Sequence, residues 1–237
     1  MQKADYIALL IFAVCWFGYE PLLRTIGTHA GLIAKHISVL RQQWMRNFIT
    51  REVKLFDSNL LGHSVNSASF FASANLILIA AIAGAIFEGQ VPKSIVNSLG
   101  IEASSRIVLD IKFAIILLCL ARGFFNFTWA IRQMNYCAAA MGAVPHDLTR
   151  EEAEETSLAL AQIVEPAMSH FSQGVRGYYF SIAAAMWLYG PWFFILGTMG
   201  AVGLLLWRQS ASSSAGGLKS LRIILEKYQS RKNDEQG

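Results

Sequence analysis

Charge is what this sequence has least of. Of its 237 residues, 15% are Asp, Glu, Lys or Arg, where a soluble domain carries about 25%. That shortage argues against a water-soluble domain. Cysteine is scarcer still: Cys15, Cys119 and Cys137 lie in or beside apolar runs with no C-x-x-C spacing, which excludes a disulfide framework and a dithiol redox pair. The five histidines, His29, His36, His63, His146 and His170, lack the spacing of zinc ligands. An HExxH helix, a GxSxG elbow, a phosphate-binding Walker loop and paired intramembrane aspartates are all missing, so nothing points to an enzyme, a cofactor or a metal. Asp57, Asn59 and His63 could carry chemistry, but Asp57 or Ser58 capping a helix is the simpler use. Strand-type alternation is also missing, which excludes a β-barrel, and no internal repeat is visible.

Long apolar runs are what the sequence has in abundance. Apolar residues make up 54% of the chain, and the mean hydropathy is +0.40. A bilayer core about 30 Å thick needs about 20 mostly apolar residues per helix. Four segments qualify, at residues 5–23, 65–87, 107–131 and 178–207. The first runs from Tyr6 through Leu23 without a small-x-small cleavage site, and reads as a retained span rather than a signal peptide. Backbone groups in lipid must be satisfied within each segment, so the spans should be helices. The expectation is an all-α integral membrane four-helix bundle with additional amphipathic helices in the first and third connections. Residues 1–208 form the transmembrane domain, and 209–237 a Ser/Gly linker with a basic amphipathic tail.

The connections carry their own signals. Ile33, Ile37, Leu40, Trp44 and Phe48 recur at helical steps while Arg41, Arg46 and Arg51 fall off that stripe. This predicts an amphipathic helix that lies in the headgroup layer or packs on other connection helices. Thr149-Arg150-Glu151-Glu152 fits a capping box at a helix start, and Pro166 should kink or restart that helix. Gly190-Pro191 predicts a kink within the fourth span. Small residues four apart in the second span, such as Ala68 with Ala72 and Ala80 with Gly84, predict close helix packing.

The net charge of +4 suits loops facing anionic lipid headgroups. It gives no support to nucleic-acid binding, because no basic cluster is interleaved with aromatics. With four spans both termini share a side, and the Lys and Arg residues then divide almost evenly between the two faces. The long first and third connections are expected in the cytoplasm of a bacterial inner-membrane protein.

Arg122 stands in the run 117–129, where a cation costs roughly 2.5–3.5 kcal/mol on insertion scales. Glu20 lies 15 residues after Asp5, and Arg122 lies 16 after Arg106. In parallel spans both are about 22–24 Å from one membrane face, so an ion pair is geometrically open to them. Asn75, Asn126, Gln133 and Tyr189 complete a candidate polar layer around Glu20 and Arg122. Asp110 and Lys112, near the other end of the helix, are expected to snorkel.

Several stretches resemble a bacterial and plant family of multi-pass membrane proteins catalogued as domain of unknown function 599. They are 127–136 (FTWAIRQMNY) followed by 142–145 (GAVP), then 57–62 (DSNLLG), 67–73 (SASFFAS) and 187–191 (WLYGP). The resemblance implies a four-helix membrane architecture between about residues 6 and 207, and transfers no activity. Two functions fit the residues. One is a homo-oligomeric channel or transporter subunit with Arg122 in the pathway. The other is a non-catalytic membrane scaffold or assembly partner in which Glu20 and Arg122 form a structural pair. Lipids and further copies of the chain are the expected partners.

Overall fold

The computed structural model describes residues 3–27, 33–87, 106–210 and 212–234, and every regular element among them is helical. In chain order these are α1 (Lys3–Gly27), α2 (Ile33–Thr50), α3 (Leu55–Phe87), α4 (Arg106–Gly142) and α5 (Arg150–Ala185). A 3-10 turn (Met186–Tyr189), α6 (Pro191–Ser210) and α7 (Ser213–Asp234) follow. The second connection, residues 88–105, lies outside the described residues.

Helix length sets the architecture. The 37 residues of α4 extend about 55 Å, nearly twice a bilayer core. Helices α3 and α5 are almost as long, at 33 and 36 residues. The molecule accordingly has two cores, one above the other along α4 and α5. The lower core gathers Phe12 and Tyr19 of α1, Ile116 and Leu120 of α4, Phe180 of α5, Trp187, and Phe194 and Leu205 of α6, with Ile79 and Ile82 of α3 against it. The upper core gathers Met45 and Phe48 of α2, Leu61 of α3, Met134 and Cys137 of α4, and Leu160 and Val164 of α5. Five helical segments surround the lower core and four surround the upper one.

Helices α4 and α5 run antiparallel and form the spine. They approach closely where a side chain would not fit: a Cβ on Gly174 would lie 2.6 Å from the Phe127 ring, and one on Gly177 would lie 3.3 Å from the Gly123 Cα. Small residues permit this backbone contact.

The expected fourth span, residues 178–207, is not one kinked helix. Gly197 packs against Ala183 and Met186, and the Arg208 guanidinium donates to the Tyr179 hydroxyl. The chain therefore reverses at Gly190, whose φ of 130° lies where L side chains are strained, and Pro191 starts α6 at the helix position where its missing N–H costs nothing. Gly190-Pro191 is a hairpin turn rather than a kink. Pro166 does not break its helix either, since α5 runs through it from the predicted capping box at Thr149 and Glu152. The predicted Ser/Gly linker is also largely helical: α7 begins at Ser213, the Ser212 hydroxyl accepts from the Ala215 N–H, and Gln229 donates to Gln43 of α2.

Helix α2 does not lie free in a headgroup layer. Its basic side engages the acidic side of α5: Arg41 donates to Glu165 at 2.9 Å, and Arg46 Nε to Glu154 at 3.0 Å. Packing on another connection helix is thus the outcome.

Among the described residues three helices are long and apolar enough to cross a membrane, by length and composition: 3–23 within α1, 55–84 within α3, and the run that starts at Pro191. Many of their exposed side chains are apolar, including Ile7, Leu10, Val14 and Phe17 on α1 and Phe193, Leu196 and Met199 on α6. Large exposed apolar surface of this kind needs a lipid or protein cover. Helix α4, the expected third span, packs against both α3 and α5 and keeps one apolar face exposed, with Ile107, Leu118 and Phe125.

Candidate polar site between the two cores

The polar residues cluster where the lower core ends. Glu20 of α1 accepts from the Arg176 guanidinium of α5 at 2.9 Å. The Arg176 guanidinium also sits 5.6 Å from the Tyr19 ring centroid. The expected Glu20–Arg122 ion pair is not formed. Arg122 instead sits 5.6 Å from the Trp16 ring centroid, one helical turn before Glu20. Lys112 and Asp5 both flank Trp187, which sets α4 about one turn and a half out of the register assumed from Arg106 and Asp5. Among the described residues no carboxylate bonds the Arg122 guanidinium.

Arg122, Arg176, Glu20 and Gln173 nevertheless line one small cavity with Trp16, Tyr19 and Phe180. Its volume is about 20 Å³, room for one water. The cluster carries two guanidinium groups and one carboxylate, so its net charge is positive. A guanidinium over an aromatic face gains about 0.5–2 kcal/mol, which eases but does not replace an anionic partner.

Asn126 ties α4 to α5. Its amide donates to the Arg122 carbonyl at 3.0 Å, and its oxygen lies 3.1 Å from His170 Nδ1. An amide oxygen only accepts, so His170 carries its proton on Nδ1 in this contact. Trp129 meets the His170 ring edge-on. Asn75 is buried against Gly123, and its side-chain oxygen has no hydrogen-bond partner.

Two expected members stand apart. Gln133 is 11 residues beyond Arg122 on α4, about 16 Å higher. Tyr189 lies at the far end of the lower half, exposed and edge-on to Phe193, because the chain turns back at Gly190. The polar layer therefore comprises Glu20, Asn75, Arg122 and Asn126 of the expected set, joined by Arg176, His170 and Gln173. Those three read as connection in the sequence, since polar residues enclosed by α1, α3 and α4 give no hydropathy signal.

A second polar group lies at the lower end. Trp187 Nε1 donates to Asp5 Oδ1 at 2.8 Å, and the Lys112 ammonium is 5.9 Å from the same ring. Lys112 is 1% exposed, so it does not snorkel; Asp110 is half-buried and pairs loosely with Arg106. Asp57, rather than capping α3, is fully buried and accepts from Trp44 Nε1 at 2.7 Å and Arg51 at 2.5 Å. Among the described residues no His, Cys, Asp or Glu grouping could hold a metal ion.

On the outer surface, Arg122 also faces an open groove of about 700 Å³ lined by Leu118, Ala121, Phe125, Asn126, Thr128, Trp129 and His170.

A family model described as "Protein of unknown function, DUF599" matches residues 7–214. No curated protein matches the chain, and no solved structure does.

Proposed function

The chain belongs to the DUF599 family, and from that premise we propose that it is a five-pass membrane scaffold, non-catalytic, whose upper bundle docks a protein partner. The observation that carries this reading is an apolar patch at the upper tip. Val53, Leu55, Phe56 and Leu60 are exposed around the α2–α3 turn, beside Arg51 and Lys54. Phe56 is 14 residues from Phe70, where the exposed apolar belt of α3 begins, so the tip stands about 21 Å beyond it. Apolar surface that far from lipid suits a protein partner with an apolar face and an acidic rim. The lower interior supports the same reading. Phe12, Trp187 and Phe194 fill it, and the cavity beside them holds about one water.

The crossing count follows from the hairpin at Gly190. Helices α1, α3, α4, α5 and α6 alternate in direction through the lower half, and the C-terminal part of α5 crosses as a central, enclosed helix. Exposed apolar residues run from Tyr6 to Leu22 on α1 and from Trp192 to Trp207 on α6, about 22–24 Å each, with tryptophans at both ends of the α6 stretch as interfacial anchors. An odd count puts the two ends of the chain on opposite sides. Arg41, Arg46, Arg51, Lys54, Arg150, Lys219, Arg222 and Lys227 then share the upper side, against Lys3 and Arg106 below. The positive-inside rule places the upper bundle in the cytoplasm.

Labelling with a membrane-impermeant maleimide tests the topology. Lys3→Cys and Lys227→Cys are expected to label from opposite sides; labelling from one side restores four spans. Cys119 and Cys137 interfere little, since both are buried and burial pushes the Cys137 thiol up to about 11, leaving almost no thiolate; the half-buried Cys15 is replaced by serine in both variants. For the docking role, native purification is expected to recover one partner in fixed stoichiometry, lost in Phe56→Ser. A symmetric homo-oligomer that conducts anions in liposomes overturns it. That outcome is the second reading, favoured by Arg122 lying on the outer face, where a pathway between copies would run; flux abolished by Arg122→Leu would establish it.

A further inference from the structure

We propose that the groove beside Arg122 is a binding site for a phosphate-bearing anionic membrane lipid. The inference rests on the membrane placement above. Below Arg122 the groove wall is apolar, with Leu118 and Ala121, and the exposed Ile111 continues that face of α4 downward. At and above Arg122 the polar groups Asn126, Thr128 and His170 join the aromatic Phe125 and Trp129. That division matches a lipid standing upright, acyl chain low and headgroup high. Arg122 lies one turn below Phe125 and two below Trp129, which mark the end of the exposed apolar belt of α4, and its long side chain reaches from there toward headgroup depth.

Charge identifies the headgroup. Glu20 is occupied by Arg176 at 2.9 Å. Arg122 has aromatic contact with Trp16 but no carboxylate among the described residues. A guanidinium on the lipid-facing surface without an anion is costly, and its planar fork matches two phosphate oxygens. Asn126 fixes the site from behind by bonding both the Arg122 carbonyl and His170. On a basic cytoplasmic side, anionic lipids are the abundant source of such a phosphate.

The test uses the full chain, purified in detergent, delipidated and examined by native mass spectrometry. Phosphatidylglycerol and phosphatidylcholine are supplied in separate arms, and inorganic phosphate in a third. Retention of phosphatidylglycerol over phosphatidylcholine is expected, falling about tenfold in Arg122→Gln, as loss of a charge-assisted bidentate contact implies. Arg122→Lys should keep part of it. Leu118→Trp, which fills the apolar end without touching the charge, should also lower retention, and guards against misfolding of the arginine variants. Equal retention of both lipids, or retention unchanged in Arg122→Gln and Leu118→Trp, overturns the proposal. So does displacement of the lipid by millimolar inorganic phosphate, which would make free phosphate the ligand, or a stable dimer that covers the groove. If maleimide labelling shows a different topology, the membrane placement fails first and separately.

Discussion

The lower and upper halves of this molecule are built from the same helices and held by different forces. In the lower half α1 and α6 turn apolar side chains outward as well as inward, so on the proposed membrane placement burial removes them from a cover as apolar as themselves. What remains is dispersion and close packing: Trp187 stacked on Phe194 with centroids 4.9 Å apart, and Phe12 on the same ring. In the upper half the outer faces carry ion pairs between α2 and α5, and the core of Met45, Phe48, Met134 and Val164 is withdrawn from water. There the hydrophobic effect acts in full.

The largest expected effect tests that contrast directly. Phe48→Ala should destabilise the upper bundle by about 3–5 kcal/mol, the usual range for a buried phenylalanine. Phe12→Ala, equally buried, should cost less in lipid or detergent, since only contacts and not water exclusion are lost. Hydrogen exchange that resolves α2 from α1 measures both. Equal or reversed costs would break the distinction between the halves.

Next in size is a change at the junction. Gly174→Val puts carbons against the fully buried Phe127 ring, which also stacks on Phe71. Overpacking of this kind costs about 1–3 kcal/mol, and here it should loosen both halves together because α4 and α5 run through both. Phe127→Leu in the same chain should recover part of the loss, a coupling that a double-mutant cycle reads. If only one half softens by hydrogen exchange, the spine does not join them.

Smaller again is Asp57→Asn. The amide oxygen can still accept from Trp44, but the charge facing Arg51 is lost. The expected cost is about 1.5 kcal/mol, confined to the α2–α3 turn, and seen as faster exchange there with the lower half unmoved.

The sequence made some of this legible for definite reasons. Span one is apolar on every side because α1 lies at the edge of the bundle. Depth counting brought Glu20 and Arg122 into one cavity, because helix rise is nearly constant. It missed the partner because Arg176 lies in 168–177 (MSHFSQGVRG), a stretch too polar to read as a crossing. Packed against α1, α3 and α4, that stretch turns Gln173 and Arg176 inward, so hydropathy carries no trace of its role. The same blind spot turned a hairpin at Gly190 into a kink and placed Tyr189 in the wrong layer. Local signals fared better where the chemistry was local, as at Thr149.

That cap gives the smallest expected effect, and it belongs wholly to the upper half. Thr149 and Glu152 bond reciprocally at the start of α5. Bonds from the Thr149 hydroxyl and backbone N–H hold the Glu152 carboxyl below its ordinary value of 4.5. A depressed folded value means that the carboxylate's contribution is complete above the unfolded pKa and is lost as pH falls through the folded one. Thr149→Ala should cost about 1 kcal/mol at pH 7, read as a lower melting temperature for the upper bundle. The gap between wild type and variant should narrow as the pH falls through the lowered folded value of Glu152, where the capping carboxylate is lost. The hydroxyl's own bond to the Glu152 N–H is long, at 3.4 Å, and leaves little difference at acid pH. A gap that stays constant from pH 7 to pH 3 would assign the cap to Thr149 alone and remove Glu152 from it.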